Sequence, residues 1–428
     1  MKTIRSLVGI ALFALTAPLP AQTDDAAFLT QFEKTFEPGG AVPAKNFVPA
    51  ELLKGRLHAV RPQADNDGLL NTYFVDTPDG LREVTGTPAL KTCIREIYAL
   101  DDLRGLSKTE EFGKAIGKTV GEKVESAAGI VRDPIGTVKN VPKGASRFFG
   151  RIGEGLKSVG KSAGSGSALA NIVGVNKAKA QLAAQLGVSP YTTNEELQRE
   201  LTATARAMAG GGLVVSAATA AVSGGAGTAL SVVGVNETLQ NALVNSTPED
   251  LRLNNRKKLL ALGVDRALTD EFLMHPWFSP WHETITTDAL ARIGVNPTAF
   301  LTGAVKALTP EDASFFQRVA QILARYHAEA TPLRAIRLEG GVITALDKNG
   351  TLVVPVSFDY AIWAERTARR AEEFAALAQR GGEIKGLALW TDGLISERLT
   401  AELQQRHIAT HTRALDAAGA LGPSPLSP

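Results

Sequence analysis

RAIRLEGGVITALDKNGTLVVPV, from Arg334 to Val356, is the stretch on which the fold class turns. Arg334–Leu338 and Val342–Leu346 read as strands. Asp347-Lys348-Asn349-Gly350 is hairpin-turn chemistry, and TLVVPV from Thr351 is the return strand. Downstream, Phe358 to Leu377 reads as a helix with a charged outer face. LALW from Leu387 reads as a buried strand, Ser396 to Arg406 as a helix and IATHT as a last strand. Strand–helix–strand at this length predicts a small α/β domain with a partly parallel sheet over 331–418. A Pro/Ser-rich tail, 419–428, is expected to be disordered.

Upstream the pattern changes to helices. Thr193-Asn194 caps a helix with acidic residues in its first turn, and T-P-E-D recurs at Thr247 and Thr309 as two further helix starts. Asp270 to Ile293 and Pro297 to Leu308 read as helices between short turns, so 169–330 is expected to be an all-α domain. At its centre lies Ala207 to Asn236, thirty residues without a charge and rich in Ala, Gly and Val. Ser223-Gly224-Gly225-Ala226-Gly227 breaks it into two pieces, each too short to span a bilayer. It therefore reads as a buried, closely packed helix–turn–helix in preference to a membrane insertion.

The first third carries a β unit and a basic connector. Strand-like runs are LHAV at Leu57, NTYFVDT at Asn71 and LREVTGT at Leu81, with a helix over Leu90–Leu103; together they define a unit at 22–105. Asp65-Asn66-Asp67-Gly68 resembles the start of a calcium loop but lacks its spacing, so a hairpin turn is expected. From 106 to 168 the chain is basic and Gly-punctuated, with ten Lys or Arg against four Asp or Glu between Phe112 and Ala163. Gly113, Gly117 and Gly121 form a smooth helical stripe suited to close packing, including oligomer contacts. Arg147, Phe148, Phe149, Arg151 and Ile152 form an amphipathic face for a membrane surface or partner protein. Gly164-Ser165-Gly166-Ser167 reads as a hinge.

Met1 to Ala21 has the charged start, short apolar run and small cleavage residue of a secretory signal. The chain is thus expected to be exported, to the periplasm or envelope of a bacterium. Its single cysteine, Cys93, allows no internal disulfide. At 428 residues two or three domains are expected, and 44% hydrophobic with 21% charged residues is globular composition. A net charge of +2 does not call for a nucleic-acid partner.

Gly155 to Ser162 spells a phosphate-binding loop, but no strand precedes it and a Gly/Ser run follows. Gly160 to Gly164 fits a nucleophile elbow, equally out of context. His282-Glu283 begins a zinc-protease helix motif, yet Thr286 stands where the second ligand belongs, so no metal or cofactor is expected. His275, Trp277, Trp281 and His282 cluster in HPWFSPWH, a helix junction that could present a ligand or partner groove. Asp392, after the LALW strand, holds the best position for a catalytic residue, because ligands bind at the carboxyl ends of parallel strands. The expectation is an α+β, mainly helical protein: an N-terminal β-hairpin unit, a Gly/Ala-rich helical centre and a C-terminal α/β domain. Functionally it reads as an exported, non-enzymatic envelope protein acting through a membrane surface or partner; the alternative is an envelope hydrolase using Asp392 or the His/Trp/Pro junction.

Overall fold

The computed structural model describes residues 35–107, 166–209, 237–379 and 382–416. The signal-like start, the amphipathic face Arg147–Ile152, the two glycine motifs between 155 and 164, the uncharged residues 210–236 and the tail lie outside the described residues. The protein is α+β and mainly helical, with strands at its N-terminal side.

The N-terminal unit is an antiparallel sheet of β1 (Gly40–Pro43), β2 (Ala59–Val60), β3 (Gln63–Asn66), β4 (Asn71–Thr77) and β5 (Gly80–Thr85). Strand β4 is its axis: β3 and β2 pair along one edge and β5 along the other. Its alternation puts Asn71, Tyr73 and Val75 inward. Tyr73 and Val75 meet Leu90, Ile94 and Tyr98, spaced four apart on helix α1 (Thr87–Ser107). The same helix then runs on. Its Ala99, Leu100 and Leu103 pack with Leu182 of helix α2 (Gly166–Gln185), with Leu186 just beyond the end of that helix, and with Leu197 and Leu201 of α3 (Glu195–Ala209). One helix thus joins the sheet to the helical centre. Gly166 and Ser167, read as half of a hinge, open helix α2 instead.

The centre continues through α4 (Glu237–Asn245), α5 (Pro248–Ala261), α6 (Arg266–Leu273), α7 (Pro280–Ile293), α8 (Thr298–Ala304) and α9 (Pro310–Glu329). The caps follow the sequence: Thr247 accepts from the Asp250 N–H, and Thr309 exchanges bonds with Asp312 in a capping box. The expected helix from Asp270 to Ile293 is two helices. Pro276 and Pro280 each lack the N–H that continuation requires, and Ser279 caps the restart.

The C-terminal sheet has the order β12–β10–β8–β7–β6: β6 (Leu333–Glu339), β7 (Val342–Asp347), β8 (Thr351–Val356), β10 (Gly386–Thr391) and β12 (Ile408–His411). β6, β7 and β8 form an antiparallel meander, and β8, β10 and β12 are parallel. The crossovers are helices α10 (Glu365–Gln379) and α11 (Glu397–Gln405). Asp347 builds the β7–β8 turn by accepting the Asn349 and Thr351 N–H groups at 2.9 and 2.7 Å.

A helix was expected from Phe358, but α10 begins at Glu365. The backbone before it is spent elsewhere. The Asp359 and Tyr360 N–H groups both donate to Leu69 O at 3.0 Å, and the Trp363 N–H donates to Glu37 at 2.6 Å. Tyr360–Ala361 (β9) pairs in parallel with Leu394–Ile395 (β11). Asn66 of the DNDG hairpin donates to Tyr360 O at 3.1 Å, and Arg366 bonds Asp67 at 2.9 Å. The hairpin read as a simple turn is therefore also a dock for the C-terminal unit.

Candidate functional site

Strand β10 delivers Asp392 to the carboxyl end of the parallel strands. Its side chain is 3% exposed. It accepts from Arg318 Nε at 2.5 Å, from Ser357 Oγ at 2.8 Å and from the Phe358 N–H at 3.2 Å. Gly393 follows because nothing larger fits: a Cβ there would lie 2.0 Å from Phe358 O. With both oxygens bound by three donors, Asp392 is a structural carboxylate that anchors α9 and the end of β8 to β10.

A second carboxylate lies beside it. Asp359 is buried and accepts the Asn71 N–H at 2.9 Å and the Thr87 N–H at 2.7 Å. It thereby caps the start of α1 from across the molecule. Burial pushes its pKa up, the two amides pull it down and the Asp392 charge raises it again. The next turn of α1 carries Lys91. Burial and the neighbouring Arg318 guanidinium hold that ammonium below its ordinary pKa.

An apolar cavity of about 100 Å³ opens next to this cluster, on the sheet face that α10 and α11 cover. Val342, Val354, Val356, Leu387 and Leu389 line it from the sheet. Ala371, Phe374, Leu399 and Leu403 line it from the helices, Leu69, Phe315 and Phe358 add to the wall, and Thr367 and Arg370 of α10 border it as well. Strand pairing explains its place. The β7–β8 ladder holds only Ala345↔Val353 and Leu346↔Leu352, and Pro355 has no N–H to extend it. The parts of β7 and β8 that this ladder leaves out carry Val342, Val354 and Val356, which pair on their other edges with β6 and β10 and lie at the void. Thr344, between Val342 and Leu346 on the same strand face, is fully buried, and its hydroxyl has no hydrogen-bond partner. Ser357 lines the cavity and also bonds Asp392, so it stands where the apolar and charged regions meet.

The His/Trp junction is assembled by the α6–α7 break. The Trp277 N–H donates to His275 Nδ1 at 3.4 Å, which leaves Nε2 as the donor to Val305 O at 3.1 Å. His282 accepts the Ser279 N–H at 3.4 Å while its own N–H donates to Ser279 Oγ at 3.2 Å. Both imidazoles meet the Phe278 ring, with centroids 5.4 and 6.5 Å away. Trp281 is buried and donates to Leu243 O at 3.2 Å; Trp277 is half-buried. The four residues are brought together, with polar atoms engaged in holding the junction. Met274, beside His275, and Leu308, three residues after Val305, are exposed. Behind them Glu283, fully buried, forms a two-point ion pair with Arg252. Among the described residues no cluster of His, Cys, Asp or Glu is placed to hold a metal, and no helix is long and apolar enough to cross a membrane.

Sequence reasoning reached Asp392 but missed Arg318, Ser357, Asp359 and Lys91. Arg318 and Asp392 are 74 positions apart, and nothing in either local pattern names the other. No protein-family model, curated protein or solved structure matches the chain.

Proposed function

We propose that this chain is an exported envelope protein that acts by binding, and that its C-terminal α/β unit receives an apolar group in the cavity between the sheet and helices α10 and α11. The observation that carries this reading is a void walled mainly by aliphatic and aromatic side chains, with an unpartnered buried hydroxyl, Thr344, on the same face. Such a void forgoes dispersion contacts, and an apolar guest restores them. The arrangement at Asp392 supports binding over hydrolysis, because a carboxylate held by an arginine and two further donors is poorly placed to exchange a proton with substrate. Export rests on the signal-like first 21 residues.

The test uses a small apolar probe. Benzene should raise the thermal midpoint of the mature chain by mass action and should not raise that of Ala371→Leu, in which the added side chain fills the void. A wild-type midpoint unmoved by benzene would sink the proposal. Cell fractionation tests the other half: the mature chain should leave the cytoplasm, and retention there with the first 21 residues uncleaved would contradict export.

A further inference from the structure

The two helices that cover the cavity are tied together at their N-terminal ends by a short piece of chain from before β1. Trp363 stands two residues ahead of α10, and Ser396 caps α11, its Oγ accepting the Leu399 N–H at 3.0 Å. Glu37 meets both. Its Oε2 accepts the Trp363 N–H at 2.6 Å and the Ser396 hydroxyl at 2.6 Å, and its own N–H donates to Trp363 O at 2.8 Å. A carboxylate with two such donors makes strong, charge-assisted bonds. Two residues earlier, Thr35 O accepts from the Arg398 guanidinium of α11 at 2.6 Å. Between them Phe36 packs against the core cluster that contains the cavity residues Leu69, Ala361, Ala371 and Leu399. Pro38, Gly39 and Gly40 follow, all exposed, and lead into β1. A guest that passes between α10 and α11 has to part them, and Glu37 is the group that bridges their starts.

With the cavity taken as a binding site, we propose that Thr35–Glu37 is a strap that gates it. Glu37 clasps the starts of α10 and α11, and its release opens the path for the guest. The paired glycines behind the strap let the backbone turn there at little steric cost. Neither Thr35, Phe36 nor Glu37 lines the void, so the strap sets how fast a guest enters and leaves and not how tightly it is held.

Fluorine NMR of the mature chain with fluorobenzene measures both quantities, since exchange between free and bound probe shapes the line and titration gives Kd. Glu37→Ala and Arg398→Ala should each speed exchange by about tenfold or more, the effect of one charge-assisted bond lost from the closed state, with Kd kept within about twofold. Glu37→Gln keeps a carbonyl acceptor and should fall between Glu37→Ala and the wild type. Glu249→Ala, at an exposed carboxylate of α5, should change neither quantity. Melting curves report that each variant folds, and Arg398→Ala carries the same test if Glu37→Ala does not. Unchanged exchange in the folded strap variants, or an equal acceleration in Glu249→Ala, would overturn the gate and leave the cavity a binding site. Weaker binding without faster entry would make the strap a support of the void's shape and overturn the gate as well. A wild type that binds no fluorobenzene would remove the binding site itself, and the gate with it.

Discussion

The two faces of the C-terminal sheet are built from the same strands and packed to different standards. One face sets Ile343, Ala345, Val353, Ala388 and Trp390 against the helical centre, including Leu323 and Tyr326 of α9, in a continuous core. The other sets Leu346, Leu352 and Leu387 against α10 and α11 and leaves the void. Alternation along a strand decides which residues go to which face, but not how well the covering layer fits. The packed face is closed by a long, capped helix with bulky side chains. The open face is closed by two helices whose sheet-facing positions include Ala371 and Ala375, across from the ends of β7 and β8, which do not pair with each other. Stability is concentrated on one side and space on the other.

The largest expected effect lies on the packed face. Leu323→Ala, at a fully buried position, should cost about 2–5 kcal/mol in urea unfolding, because the rigid surroundings cannot collapse into the gap. Loss of less than about 1 kcal/mol would show that this face is also loosely packed.

The next test sits in the helical layer behind that face and reads pH. Burial raises the pKa of Glu283 from 4.5 to about 7, against the pull of Arg252. The folded protein then holds a proton that the unfolded chain releases, so the stability contributed by Glu283 is full below pH 4.5 and is lost as pH rises toward 7. Burial lowers the pKa of His282 from 6.5 to about 4. Its contribution is full above pH 6.5 and is lost as pH falls toward 4. The two slopes oppose each other and overlap between those limits. Glu283→Gln should therefore leave a protein whose midpoint falls on acidification from pH 7 to 5, and His282→Gln one whose midpoint rises. Matching slopes in the two variants would refute the opposition.

One substitution made on both faces sharpens the contrast. Ala388→Leu should overpack the continuous core and cost about 1–3 kcal/mol. Ala371→Leu should be neutral or stabilising, since its added carbons enter the void. The smallest effect is expected from Thr344→Val, which removes an unpartnered buried hydroxyl at constant shape and should stabilise by about 1 kcal/mol. A loss of stability there would reveal a partner for that hydroxyl.

What was legible in the sequence was local. The β7–β8 turn at Asp347, the Thr247 and Thr309 caps and the alternation of β4 are each written within a few residues of one another. What was not legible depends on distant partners. Phe358–Ala364 has helical composition, but Leu69 and Glu37 claim its backbone N–H groups. Asp392 stood out by position, while the arginine that holds it lies on a helix whose pattern shows only which side is buried. The void is harder still to foresee, because missing atoms leave no mark in composition. Pro355 within a strand was the nearest available sign.

The central claim is that the loosely packed face is a binding site. Thermal unfolding of the mature chain with and without benzene, beside Ala371→Leu, tests it most directly. The account predicts a midpoint that climbs with benzene in the wild type and stays level in the filled variant. A wild-type midpoint that does not climb, or an equal climb in both proteins, would contradict it.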